Sequence, residues 1–219
     1  MLKCLKPASK TPGELNRTKI SAPSVNSVVN TPLPKEFYDR PTLAVARELL
    51  GKRLVRLEYG KRISGFITEA EAYIGEEDQG CHARAGRTPR TAVMYGPPGH
   101  AYVYFTYGMH WMLNAVTERE GFPAAALIRA IQPDEGLEVI GARRKGGDTD
   151  GPAKLTQALG IDKSLNGVDL CDPASGLWIE KGLEIPEENV TITPRVGLNS
   201  VSEPWKSKLW RFLARINID

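Results

Sequence analysis

The sequence predicts an α+β domain built on a curved, largely antiparallel sheet. Two observations carry the sheet. Arg53–Leu57 and Ile63–Tyr73 flank Glu58-Tyr59-Gly60-Lys61, and Ala101–Thr106 and Trp111–Thr117 flank Tyr107-Gly108, so both pairs read as hairpins. A third observation limits the helices: few segments show helical spacing, and no internal repeat is present.

The elements follow in order. The domain is expected to begin near Pro34, at the end of a Pro-, Ser- and Thr-rich stretch without an aromatic. Leu43, Ala46 and Leu50 share one helical face, with Pro41 in the first turn and Gly51 as a stop. The first hairpin follows, then a Gly-, Arg- and Pro-rich loop over 75–100, then the second hairpin. Ala124–Ile131 is a further strand. Asp134–Arg144 reads as a helix, with acidic residues at its start and basic ones at its end. Gly151–Leu159 reads as another, with Pro152 in its first turn and Gly160 closing it. Leu177–Glu180 and Val190–Ile192 are short strands.

Composition bounds the function. The 219 residues are 41% hydrophobic, enough for a sizeable core, yet no apolar run approaches the ~18–20 residues of a membrane span. Residues 1–10 lack the apolar stretch of a secretory signal. Cys4, Cys81 and Cys171 are too few and too scattered for a disulfide framework or a zinc box. A reducing compartment is the simplest expectation. Net charge is only +3. Its distribution says more: the first 33 residues hold five basic side chains and one acidic, leaving 24 against 25 elsewhere. Residues 1–33 are therefore expected to be a disordered basic arm, and 34–219 the folded domain.

The most informative stretch is TEAEAYIGEED, Thr68 to Asp78. Simple alternation along a strand puts Ile63, Ile67, Glu69, Glu71 and Tyr73 on one face, with Phe66, Ala70 and Ala72 on the other. A partly desolvated carboxylate there has a raised pKa and accepts a proton from water near neutrality. The competing reading is a strand that leaves the core and faces solvent. An acid/base pair from Glu69 and Glu71, as in a glycosidase, also stays open.

Two neighbouring stretches suit nucleic acid. No acidic residue lies between Asp78 and Glu118, whereas Arg84, Arg87 and Arg90 recur every third position. A flexible basic loop contacts phosphates. Tyr102, Tyr104, Phe105, Tyr107 and Trp111 put five aromatics in ten positions of a chain only 7% aromatic. A core strand pair accounts for Phe105 and Trp111. Tyr107, at the turn, has no reason to be buried and suits stacking or wedging between bases. His82 has no His or Cys partner at ligand spacing, so no metal is expected. Gly151-Pro152-Ala153-Lys154 opens a helix whose free N–H groups and lysine can hold a phosphate.

Taken together, TEAEAY, His82 eleven residues after Glu71, then TPR, YVYFTYGMHWMLN, LIRA and GPAKL resemble the alkyladenine (3-methyladenine) DNA glycosylase family, over about Pro34 to Phe212. The resemblance implies a monofunctional enzyme that hydrolyses the N-glycosidic bond of damaged purines flipped from duplex DNA, without a cofactor. It implies 3-methyladenine and 7-methylguanine as substrates, with hypoxanthine and ethenoadenine in some members. By the same resemblance Glu71 deprotonates the attacking water, and Arg129 stands near that water. Tyr73, His82 and Tyr104 sandwich the flipped base, with Leu127 as a further pocket contact. Asn114 obstructs a guanine amino group, Tyr107 fills the vacated stack, and Met109 contacts the groove. The expected partner is duplex DNA and the expected state a monomer, in the bacterial nucleoid or a eukaryotic nucleus. Two departures stand out: the stretch from Arg143 to Gly151 is shorter than in mammalian relatives, and His110 stands where an aromatic is frequent. The rival from another class is a nucleic-acid-binding module of the same fold without activity. A glycosidase acting on nucleosides or oligosaccharides is a second rival.

Overall fold

The computed structural model describes residues 31–216. The expected arm lies outside them, except for its last three positions, which belong to the fold. Pro32 bridges to Glu180, the Leu33 N–H donates to the Ile179 carbonyl, and Leu33 is buried. The domain thus starts slightly before Pro34, because these residues cover a sheet edge that would otherwise be open.

Two short helices, α1 (Lys35–Tyr38) and α2 (Thr42–Glu48), precede the sheet. Strands β1 (Arg53–Glu58) and β2 (Lys61–Ile74) form the first expected hairpin. Its two-residue turn puts Tyr59 and Gly60 at positive φ (49° and 73°), the backbone that matches strand twist. Strands β3 (Ala101–Thr106) and β4 (His110–Val116) form the second, and β5 (Ala124–Glu135) follows. Helices α3 (Leu137–Arg143) and α4 (Pro152–Leu159), then β6 (Leu177–Glu180), β7 (Val190–Thr193) and β8 (Arg211–Ala214), follow among the described residues. The eight strands form one antiparallel sheet in the order β3-β4-β5-β2-β1-β6, with β8 joining β2 and β7 joining β8.

The expected helix over Asp134–Arg144 begins three residues late. Asp134 and Glu135 are still strand, held by the Ser64 hydroxyl and by Arg53 and Arg62. Tertiary ion pairs here override the acidic helix-start pattern.

The sheet has two working faces. One packs against α2 and α4 in the main core, through Ala70, Ala72, Leu113, Ala115, Ala126 and Ile128. The other carries a smaller cluster of Cys81, Ala83, Met94, Tyr102, Val116 and Ala125, with Tyr73 and Tyr104 packed on it. The strand alternation expected for β2 holds only in part. Ile63 and Ile67 lie in the main core together with Ala70 and Ala72, which were expected on the opposite face. The reason is a pair of β-bulges. Ile67 pairs with Ile131 and Glu69 with Ala130, leaving Thr68 without a partner; Ala70 then pairs with Ile128, leaving Arg129 without one. An extra residue in each strand reverses which face the chain beyond it presents.

Candidate active site

The bulges deliver charge to the second face. Beyond them, Glu71 pairs with Leu127, Leu127 with Asn114, and Asn114 with Tyr102. Residues distant in sequence thereby form one row across four strands. A cavity of about 310 Å³ opens over this row, walled by Tyr73, His82, Tyr102, Tyr104, Asn114 and Leu127. Arg129, Cys81, Val196 and Leu198 also reach it.

Glu71 is fully buried. One carboxylate oxygen accepts from the Val196 N–H at 2.7 Å and the other from the Tyr73 hydroxyl at 2.8 Å. Arg129 Nε lies 3.4 Å from the first oxygen and donates to Glu69 at 2.5 Å. Arg211 Nε donates to the same Glu69 oxygen at 2.6 Å. Burial pushes the Glu71 carboxyl above the usual carboxylate range, and this outweighs the downward pull of Arg129, Val196 and Tyr73. Arg129, less deeply buried, is affected oppositely: against its own desolvation, Glu71 and Glu69 hold its pKa above the ordinary value. Glu69 thus serves two arginines, while Glu71 holds Arg129 more loosely. The two carboxylates are not equivalent, which disfavours the symmetric acid/base pair considered from spacing alone.

The walls are aromatic. His82 meets Tyr104 edge-on, with ring centroids 4.5 Å apart, and its Nδ1 lies 3.0 Å from the Tyr102 hydroxyl. Burial, followed by Arg90 and Arg84, lowers the His82 pKa to about 4, so the imidazole is neutral at physiological pH. Burial raises the Tyr73 and Tyr104 phenols, so both stay protonated. Asn114 donates to the Tyr102 carbonyl at 3.0 Å, which fixes its amide on the pocket floor. A flat, electron-poor ring fits such a slot, because aromatic faces attract cations.

Outside the mouth, Tyr107 stands at the tip of the β3–β4 turn, 81% exposed and at φ 52°. Met109 beside it is 68% exposed. His110 is also exposed, at the first position of β4. The expected phosphate contacts divide into two groups. Arg84 and Arg87 are exposed; Arg84 donates to the Gln79 carbonyl, and Arg87 lies over the Tyr95 ring. Arg90 is exposed as well, but it lies over the Tyr104 ring, within 3.5 Å of His82 Nε2. Lys154 is ion-paired to Asp148 and Asp150 at 2.5 Å each, so a phosphate must compete with two carboxylates. Arg87→Ala is therefore expected to weaken DNA binding and flatten its salt dependence by about one unit of slope. Arg90→Ala is expected to lower base release more than binding, as measured by anisotropy titrations from 50 to 200 mM salt beside single-turnover assays.

Sequence reading missed the C-terminal wall. Arg195 is buried and makes a two-pronged ion pair with buried Asp78, at 2.5 and 2.8 Å. Breaking such a pair costs about 3–5 kcal/mol. Asp78 also accepts from the Ile74 and Gly80 N–H groups, tying down the loop that leads to His82. Signals were present in YIGEED and PRVG, but nothing in their spacing joins Asp78 to a residue 117 positions later. Among the described residues, no cluster of three or more His, Cys, Asp or Glu is arranged to hold a metal ion, and no helix is long and apolar enough to cross a membrane.

Fold and site together define a sheet protein with an aromatic slot for a flat ring, a buried carboxylate behind its wall and a projecting tyrosine at its mouth. The chain belongs to the methylpurine-DNA glycosylase family: the model described as "Methylpurine-DNA glycosylase (MPG)" matches residues 36–217. A relative from Methanocella arvoryzae is 49% identical over 184 residues, which covers 80% of this chain and 90% of its own. Relatives from Myxococcus xanthus (48% identical, covering 84% and 90%) and Chlorobaculum parvum (47%, covering 80% and 85%) are similar. All three carry the name "Putative 3-methyladenine DNA glycosylase".

Proposed function

We propose that this protein excises 3-methyladenine and related damaged purines from duplex DNA by hydrolysing the N-glycosidic bond. The observation that carries this reading is the pairing of Glu71, buried and raised in pKa, with the aromatic slot in front of it. A base inside a duplex is out of reach, so the nucleotide leaves the stack and its base enters the slot. Tyr73, His82 and Tyr104 hold it, and Tyr107 occupies the space it vacates. An N3-methylated adenine is cationic and leaves readily: the N9–C1′ electron pair departs with the base, which becomes neutral. Positive charge develops on the sugar, where the Glu71 carboxylate stabilises it. Water adds its oxygen to C1′ and gives its proton to Glu71. Arg129, anchored by Glu69, fixes the direction of approach. Asn114 on the floor disfavours a purine bearing a 2-amino group. Neutral lesions such as hypoxanthine and ethenoadenine need a proton on the base, and neutral His82 does not supply one readily, so slower excision is expected for them.

No lysine belongs to this constellation, which supports a water nucleophile and a monofunctional enzyme. The reaction as drawn needs no cofactor, a single chain suffices for it, and the protein would act wherever the cell keeps its DNA. The test is base release from DNA treated with a methylating agent, followed by chromatography, alongside duplexes carrying one hypoxanthine or one ethenoadenine. Release of 3-methyladenine at a rate far above the spontaneous one is expected. Duplex binding without any base release would leave only the inactive-module reading.

A further inference from the structure

Arg195 has no place in the chemistry above, yet it is among the most heavily committed side chains in the protein. It is fully buried, as is Asp78. Besides that ion pair it donates to the Ala72 carbonyl at 3.0 Å and to the Trp205 carbonyl at 3.3 Å. Its guanidinium is layered between two rings, 4.7 Å from the Tyr73 centroid and 4.9 Å from that of Trp210. Lys208 caps the outer side, over Trp205 and Trp210. Backbone and ring contacts of this kind fix a segment in place, which is more than burying a charge requires.

What is fixed touches Glu71 from two directions. The residue after Arg195 is Val196, whose N–H is the donor to one Glu71 oxygen. The ring beneath the guanidinium is Tyr73, whose hydroxyl is the donor to the other. Val196 lies in a loop between β7 and β8, outside any helix or strand pair, and is itself exposed, whereas Tyr73 pairs with Ala125 near the end of the β2–β5 ladder, where the sheet holds its backbone and its ring lies under the guanidinium. We propose that Arg195, locked to Asp78, is a positioning residue for the water-activating carboxylate: it sets both hydrogen-bond donors on Glu71 and so fixes the direction in which that carboxylate accepts a proton. This rests on the reading of Glu71 as the base.

The assignment separates function from mere stability. The groups that face Glu71 are Tyr73, Arg129, Glu69, Arg211 at 4.0 Å and the Val196 N–H. Two of these, the Val196 N–H and the Tyr73 hydroxyl, depend on Arg195, and both oppose the upward push of burial. Loosening them lets the carboxyl rise further, so the acid limb of the rate profile moves to higher pH.

The test compares wild type with Arg195→Lys, which keeps the charge and loses the two-pronged geometry, and with Asp78→Asn. Single-turnover release of 3-methyladenine is expected to fall about tenfold to a hundredfold. Duplex affinity should stay within about twofold, and the acid limb should shift upward. A wild-type rate in both variants overturns the proposal, as does a parallel loss of rate and affinity with an unmoved pH profile. If both variants unfold, amide hydrogen exchange of the unaltered protein decides: protection at Val196 comparable to sheet amides supports the clamp, and exchange at the rate of open loop amides sinks it. A wild type that binds duplex but releases no base would count against the functional reading instead, while the exchange measurement still tests the clamp.

Discussion

Glu71→Gln should reduce base release by about a hundredfold to ten-thousandfold, the range spanned by loss of a general base, with duplex affinity nearly unchanged. Glutamine keeps the shape of the side chain and at least one hydrogen bond to its two donors, so the slot stays intact. It cannot take the proton from water, nor face the developing sugar cation with a negative charge. Single-turnover kinetics on a methylated duplex, with affinity measured in parallel, check this outcome. Stability should move the other way. Because burial raises the folded-state pKa of Glu71 above its unfolded value, ionisation of this group opposes folding. Its contribution is fully present below the unfolded pKa and is lost as pH rises through the folded one. At pH 7.5 the glutamine variant is therefore expected to melt no lower than wild type, and the difference should shrink on acidification through the carboxylate range. Arg129 stays paired because Glu69 remains at 2.5 Å. A lower melting temperature at pH 7.5 would mean that Glu71 is a stabilising ion-pair partner rather than a carboxylate kept at a cost for chemistry.

Tyr107→Ser carries the second large effect. Tyr107 makes no side-chain hydrogen bond among the described residues and stands in solvent, so its loss costs the fold little. A base-stacking aromatic contributes about 1–3 kcal/mol. Removing the wedge should therefore slow excision from duplex DNA by about 5- to 150-fold. The effect should be much smaller when the target lies opposite a gap, where little stacking has to be replaced. The positive φ of Tyr107 sharpens this expectation. A bulky residue in that backbone region is strained by about 1–3 kcal/mol, and strain of this kind clusters at working positions. Tyr107→Gly is expected to raise the melting temperature while lowering the rate. Equal rates for Tyr107→Ser and wild type on duplex DNA would favour a glycosidase acting on free nucleosides.

These predictions draw on residues that were visible to different degrees in the chain. Both hairpins were legible because a glycine turn between strand-like runs is a local signal: Tyr59-Gly60 and Tyr107-Gly108 sit where the pattern places them. Helix α4 was equally plain, with Pro152 at its start and Gly160 in the left-handed conformation at its end. The exposure of Tyr107 followed from its turn alone. The start of α3 was misread because Asp134 and Glu135 resemble a helix start, whereas partners 70 or more residues away hold them in β5. Arg90 and Lys154 carried the right charge for phosphate contacts, but charge alone did not show that one lies over Tyr104 and the other on two aspartates.

The deepest misreading lies in β2. Strict alternation placed Glu71 and Tyr73 together correctly, yet put Ile67 beside them when it belongs to the main core. A bulge depends on how two strands come into register, and register is a property of the pair. Thr68 and Arg129 are bulged because neither finds a place in the ladder that β2 and β5 share, which also passes over Asp134 in β5. By itself the sequence determined the two hairpins, helix α4, the family and the residue types the chemistry needs, all of which are written in local patterns. Only the tertiary structure decided which carboxylate is buried, which arginine it faces, and that Asp78 and Arg195 hold the donors of Glu71 in place. Those outcomes depend on desolvation and on ångström-scale geometry between distant segments, and neither exists until the chain has folded.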